Sequence, residues 1–118
     1  MKYRKYGMLL ILIIMSILMI STQVGATAPR YMKLTYQQDT DTLNVIVLHF
    51  SPFKTVHYVY KIDVEKNGQP YTSELYSSQP RFFFNTYQYN VTAISGDQLT
   101  VTANCNLFGK LTRSITVQ

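Results

Sequence analysis

The chain lacks the residues that mark several functional classes. Its 118 residues include one cysteine and two histidines. A single cysteine, Cys105, leaves no partner for an intramolecular disulfide and no cysteine pair of the kind that binds zinc. The sequence contains no glycine-rich phosphate loop, and no serine, histidine and aspartate fall at a recognisable catalytic spacing. These absences remove a disulfide scaffold, a phosphate loop and a serine hydrolase triad from consideration.

The N-terminal region has the three-part layout of a secretory signal. Basic residues in positions 2–5 precede an apolar run over positions 8–20, and small residues follow at positions 24–28. The layout predicts a helical signal peptide over residues 1–26, cleaved after Ala26, because cleavage after Ala28 would leave Pro29 first. The alternative is an uncleaved anchor that holds the protein at a membrane or cell surface. The apolar run is shorter than the roughly 20 residues that span a bilayer.

Export changes how the charge is interpreted. Removing Lys2, Arg4 and Lys5 from the 11 basic residues leaves 8 against 6 acidic residues, a net charge of +2 instead of +5. No basic cluster remains that would indicate nucleic-acid binding. We therefore expect a secreted or extracytoplasmic protein without a nucleic-acid partner, and the sequence specifies no protein partner.

Residues 27–118 have the composition of a single all-β domain. Tyr, Thr, Val, Ile and Phe dominate, and these residues favour a pleated, half-buried surface. Turn signals such as Asn67-Gly68 and Ser95-Gly96-Asp97 separate the apolar segments. The spacing predicts a β-sandwich of seven or eight strands. The candidate strands are Tyr31–Gln37, Leu43–Phe50, His57–Glu65, Thr72–Tyr76, Arg81–Asn85, Gln88–Ile94, Gln98–Cys105 and Leu111–Val117.

Alternation identifies the inner face of some strands. Leu99, Val101, Ala103 and Cys105 alternate with polar residues, which predicts a half-buried strand whose inner row ends at a buried cysteine. The segment 43–48 is apolar at nearly every position and predicts a central strand. The segment 81–84 is ambiguous, because its three phenylalanines cannot all share one face.

Few side chains of the mature domain suit a transition metal. His49, His57 and Cys105 are, with Met32, the whole inventory of soft or borderline donors. A lone histidine in a strand is more often a surface or hydrogen-bonded residue than a ligand. A lone cysteine at the end of an apolar row is more often a small core residue. Residue types alone therefore leave both interpretations open.

Two local motifs carry a resemblance to a known family. The segment Ser51-Pro52-Phe53-Lys54-Thr55-Val56-His57-Tyr58-Val59-Tyr60-Lys61-Ile62-Asp63-Val64, followed by Asn67-Gly68, resembles His-Pro-x-x-x-x-His-Tyr-Ile-x-x-Ile-Glu-Val of the superoxide reductases (neelaredoxins, and the catalytic domain of desulfoferrodoxin). Cys105-Asn106-Leu107-Phe108-Gly109 resembles their Cys-Asn-x-His-Gly. The resemblance covers about residues 43–117, and it implies an immunoglobulin-like β-sandwich.

The resemblance also implies a site. Family members hold one mononuclear non-haem iron with four histidines and an axial cysteine thiolate. His57 and Cys105 match two of these ligands, whereas Ser51 and Phe108 stand where two ligand histidines would be. His49 could contribute only if its loop is rearranged. We therefore expect His57 and Cys105 to lie close together at one end of the sandwich.

Three functional hypotheses follow from the partial ligand set. The first is an exported domain of this fold whose iron site is weak or lost. If the site is lost, His57 and Cys105 touch only as packing, and Ser51 and Phe108 fill the vacated ligand positions. The second is a structural or adhesive sandwich without metal. The third is an iron protein with residual superoxide reductase activity, an oxidoreductase. A common fold does not decide among them.

Overall fold

The structure is a computed structural model that describes residues 2–18 and 28–118. One helix, α1 (Lys2–Leu18), precedes seven strands, and among the described residues no helix has the length and hydropathy needed to span a membrane. The predicted cleavage after Ala26 lies outside the described residues. The strands are β1 (Tyr31–Gln37), β2 (Thr42–Leu48), β3 (Val59–Lys66), β4 (Gln69–Leu75), β5 (Phe84–Asn90), β6 (Gln98–Cys105) and β7 (Lys110–Thr116).

The strands form two antiparallel sheets, which confirms the predicted all-β sandwich. One sheet has the order β1-β2-β5 and the other β4-β3-β6-β7. An immunoglobulin constant-type domain keeps its fourth strand beside the fifth. Here β4 pairs with β3 instead and therefore belongs to the four-stranded sheet.

The core lies between the inner faces of the sheets. Leu43, Val45 and Val47 of β2 are fully buried, and β2 lies between β1 and β5, as expected for a central strand. The inner row of β6, from Leu99 to Cys105, is also buried, which confirms the predicted alternation. The side chains described for α1, residues 6–16, are exposed, and every core residue comes from the range 32–117. The sandwich therefore keeps its core without the helix.

The prediction of two strands over 81–94 is wrong. A single strand, β5, replaces them, because its pairing with β2 runs from Leu48↔Phe84 to Thr42↔Asn90 and uses the whole length of β2. The three phenylalanines at 82–84 lie outside the core and are each at least 50% exposed. The inner face of β5 carries Asn85, Tyr87 and Tyr89 instead.

Antiparallel pairing gives the sandwich two ends with different loops. Strands β2 and β6 run toward one end, where β3, β5 and β7 begin. We call it the site end; its loops are residues 28–30, 49–58, 76–83 and 106–109. The opposite end is formed by residues 38–41, 67–68 and 91–97.

Candidate metal centre

Three buried donor residues meet at the site end. One ligand atom each from His49, His57 and Cys105 lies within 4.8 Å of the others. His57 Nε2 is 3.0 Å from Cys105 Sγ, and the two imidazole rings pack edge to face with centroids 4.5 Å apart. The expected approach of His57 and Cys105 is confirmed by this distance. The structure also brings in His49, which directly follows β2.

The end of β6 fixes the position of the thiol. Cys105 is the last inward residue of β6, and its backbone N–H donates to the carbonyl of Gly109 at 3.0 Å, closing the turn to β7. Gly109 adopts a φ of 73°, and a Cβ there would lie 2.7 Å from Cβ of Ala28. A side chain at this position would therefore be strained and would displace the incoming chain.

The loop that carries His57 is held on both sides by Asn106. The Asn106 side chain accepts a hydrogen bond from the Tyr58 N–H at 2.8 Å and donates one to the Val56 carbonyl at 2.9 Å. The Asn106 N–H also donates to the Tyr58 carbonyl at 3.0 Å. Because Asn106 directly follows Cys105, these bonds fix the thiol and the His57 backbone relative to each other.

Ser51 and Phe108, which stand where the resemblance to superoxide reductases implies ligand histidines, differ in their burial and contacts. Ser51 is fully buried, and its hydroxyl donates to the carbonyl oxygen of His57. The Ser51 hydroxyl thus stabilises the 49–58 loop through a hydrogen bond to the His57 backbone. Phe108 is 67% exposed, so its ring does not fill a vacated ligand position in the interior. The expectation that both residues fill such positions is wrong for Phe108, because the 106–109 turn directs it outward.

Gln79 sets the tautomer of neutral His49. Its amide nitrogen donates to the carbonyls of His49 and Arg81 at 3.0 and 2.8 Å, which identifies its other terminal atom as the oxygen. That oxygen lies 2.6 Å from His49 Nδ1, so Nδ1 carries the proton. The lone pair of the neutral ring is consequently on Nε2. An N–H held by an outer partner is the usual arrangement of a metal-binding histidine.

The donor set and its spacing fit a divalent transition metal. Two imidazoles and a thiolate suit zinc, cobalt, copper or iron better than magnesium or calcium. With metal–nitrogen and metal–sulfur bonds of about 2.0 and 2.3 Å, the nitrogen and sulfur ligands lie about 3.1 Å apart at a right angle and about 3.5 Å apart at a tetrahedral angle. The 3.0 Å His57–Cys105 distance is near the first value. The upper bound of 4.8 Å on the separations of the three ligand atoms compares with about 4.3 Å for a trans nitrogen–sulfur pair, so any side-chain movement that metal binding needs is small.

Sequence reasoning missed Gln79 and gave Asn106 no role. Gln79 is 2% exposed, although glutamine is normally a surface residue, and nothing in its local sequence indicates burial. Asn106 lies inside the Cys-Asn motif, so its position next to Cys105 was the available signal. The assignment of His49, His57 and Cys105 as metal ligands stays a prediction.

Among solved structures the chain has a distant likeness, whereas family models and curated proteins show none. No protein-family model matches this chain, and no curated protein matches it. A solved structure of a superoxide reductase (neelaredoxin) from Ignicoccus hospitalis is similar, with a TM-score of 0.46 and 14% sequence identity. The match covers 78% of this chain and 83% of that chain. Similarity at this level does not assign a family or a function to the chain.

Proposed function

We propose that the sandwich domain is an extracytoplasmic metal-binding module that holds one divalent transition metal through His49, His57 and Cys105. The observation that carries the proposal is the approach, within 4.8 Å, of three buried donors, two from the 49–58 loop and one from the end of β6. These are both histidines and the one cysteine of the chain. Two imidazoles and a thiol are a donor set that suits a divalent transition metal.

Iron is the metal that the resemblance to superoxide reductases implies. Bound iron would supply one-electron chemistry at a thiolate-ligated centre. Three protein ligands instead of five would bind it more weakly and leave positions for small molecules. Residual superoxide reduction is the enzymatic version of this proposal. The chain's own contribution is positioning: Gln79 orients His49, while Ser51 and Asn106 hold the backbone around His57.

A cobalt titration of residues 27–118 tests the metal site. Co²⁺ bound by a thiolate gives a charge-transfer absorption in the near ultraviolet, which we expect for the wild type. Cys105→Ser should abolish the band, and His57→Ala or His49→Ala should weaken binding at least tenfold, because each removes one of three ligands. Thr55→Ala, an exposed position in the same loop, is the matched control and should behave as the wild type. Identical featureless spectra for all variants would contradict the proposal.

A structural or adhesive sandwich is the second candidate. It is favoured by the polar contacts that the three side chains make without a cation, since His57 Nε2 lies at hydrogen-bonding distance from Cys105 Sγ and His49 donates to Gln79. In that case the cluster closes the end of the sandwich by hydrogen bonds alone. The cobalt titration separates the two, because only the first candidate gives a thiolate–metal band.

A further inference from the structure

The phenylalanines of this protein are distributed unusually. All six lie at the site end, and each is at least 46% exposed. Phenylalanine is normally among the most buried residues, and a contiguous exposed apolar surface commonly marks an interaction site. We call this surface the phenyl rim. It consists of Phe50, Phe53, Phe82, Phe83, Phe84 and Phe108.

Ring contacts connect members of the phenyl rim, and basic side chains lie beside it. Phe50 and Phe83 stack with centroids 5.0 Å apart, and Lys54 Nζ lies 4.9 Å from the Phe82 ring. Lys54, Pro80 and the 81–84 segment line a groove of about 400 Å³. The groove therefore has aromatic walls with the basic groups of Lys54 and Arg81 beside them.

The loops at the site end carry charge of one sign. They contain Arg30, Lys54 and Arg81 and no acidic residue, and the strand ends next to them add Lys110 at the start of β7 and Glu74 near the end of β4. A second copy docking through the same face would oppose cations to cations, which disfavours a symmetric dimer there. The complementary surface must be anionic and must also accept several phenyl rings.

We propose that the site end docks on an anionic lipid membrane, with the phenyl rim entering the interfacial region and the four basic residues facing lipid headgroups. Basic and apolar side chains together are what binds peripheral proteins to anionic bilayers. The rim favours a membrane over an acidic protein, because six exposed phenyl rings require an apolar medium next to the anionic groups. In the alternative in which the N-terminal segment is retained as an anchor, that segment joins the domain at this same end, because the described sandwich starts at Ala28, directly against Gly109. The proposal holds whether or not the centre beneath the rim binds metal.

Vesicle sedimentation of residues 27–118 tests this docking without the N-terminal helix, whose described side chains, residues 6–16, are all exposed. We expect binding to phosphatidylcholine vesicles that contain about 30% phosphatidylglycerol and little binding to phosphatidylcholine alone. Phe53→Ser with Phe108→Ser should weaken binding at least tenfold. Lys54→Gln with Arg81→Gln should weaken it about 25-fold, since each charge near the surface contributes about fivefold.

Matched controls come from the rest of the sandwich. Ile94→Ser changes a 69% exposed apolar residue at the opposite end, and Arg113→Gln changes an exposed cation in the middle of β7. Both should bind vesicles as the wild type does. Far-ultraviolet circular dichroism checks that each variant is folded. Two outcomes would overturn the proposal: equal binding by the rim variants and controls, or absence of wild-type binding to anionic vesicles. Rim-dependent dimerisation without vesicle binding would assign the surface to a second copy instead.

Discussion

The two ends of the sandwich differ in loop length, in the sign of their loop charges and in aromatic content. The opposite end has short turns, with Asp41, Asn67, Gly68 and Gly96 at positive φ, and its loops contain three acidic and no basic residues. The site end has longer loops with basic and no acidic residues, the exposed phenylalanines, and the buried histidines and cysteine. The opposite end connects its strands by short turns. The loops of the site end, in contrast, form an exposed aromatic surface and a buried cluster of metal-binding residue types.

Hydrogen-bond networks stabilise both ends, but they fix different segments of the chain. At the opposite end, the Tyr36 hydroxyl contacts Asp41 and the backbone of Val91 and Ala93, which ties β1 to the chain beyond β5. At the site end, Gln79 and Asn106 hold the segments that carry the histidines. Breaking the first network should affect stability alone, and breaking the second should affect both stability and metal affinity.

The largest effect is expected for Gln79→Ala. The substitution leaves the Nδ1 proton of His49 and the carbonyls of His49 and Arg81 without this partner in a buried setting, so we expect a loss of about 3 kcal/mol in unfolding free energy. Cobalt affinity should fall about 10- to 100-fold, because the ring loses its orienting partner. Denaturant unfolding and cobalt titration measure the two effects. Gln88→Ala, at an exposed glutamine of β5, should change stability by less than about 0.5 kcal/mol.

A smaller effect is expected for Asn106→Ala. It removes two side-chain hydrogen bonds to the residues on either side of His57, which predicts a loss of about 2 kcal/mol and about tenfold weaker cobalt binding. Asn104→Ala is the matched control, since its side chain bonds to Lys61 and Asp63 on β3, away from the donors. Weaker cobalt binding by the Asn104 variant and unchanged binding by the Asn106 variant would reverse the assignment.

At the opposite end, Tyr36→Phe should lower the unfolding free energy by about 1.5 kcal/mol, because Asp41 and the backbone of 91–93 lose the hydroxyl. The cobalt dissociation constant should not change. Tyr31→Phe, an exposed tyrosine on the same strand, controls for hydroxyl removal as such. Any loss of cobalt affinity in the Tyr36 variant would show that the ends are coupled.

The smallest effect concerns Asp97. Hydrogen bonds from the Asn67 side chain and the Ile94 N–H lower the pKa of the Asp97 carboxyl below its ordinary value. A lowered pKa in the folded state stabilises the fold above the unfolded pKa, and this contribution is lost as pH falls through the folded pKa. Asp97→Asn should therefore be slightly destabilised near neutral pH and indistinguishable from wild type once Asp97 is protonated. Thermal melts as a function of pH measure this, with Asp39→Asn as the exposed acidic control. A gap that persists in acid would attribute the effect to packing.

Sequence patterns predicted the sandwich best where one face alternates cleanly. The bounds of β1 and β6 are as predicted, because their apolar residues occur at every second position. The same rule failed at 81–94, where Asn85 shares the buried face of β5 with Tyr87 and Tyr89 and the phenylalanines are exposed. Pairing with β2, a long-range property, decided the register there.

The site was predictable only in part for a similar reason. The approach of His57 and Cys105 followed from two motifs in order, but the inclusion of His49 depends on how the 49–58 loop folds back after β2. Gln79 is 30 residues away from His49 in sequence and meets it only in the folded protein. Loop paths and buried polar partners of this kind have no periodic signal in the sequence.

The central claim is that the site end holds one metal ion through His49, His57 and Cys105. Anaerobic equilibrium dialysis of residues 27–118 against Fe²⁺, after purification without chelators or affinity nickel, tests it most directly by elemental analysis. We predict about one iron per chain for the wild type, with loss of this iron in Cys105→Ser and retention in Thr55→Ala, in line with a thiolate-dependent site. Equal iron content in the wild type and Cys105→Ser, whether zero or one, would contradict the claim.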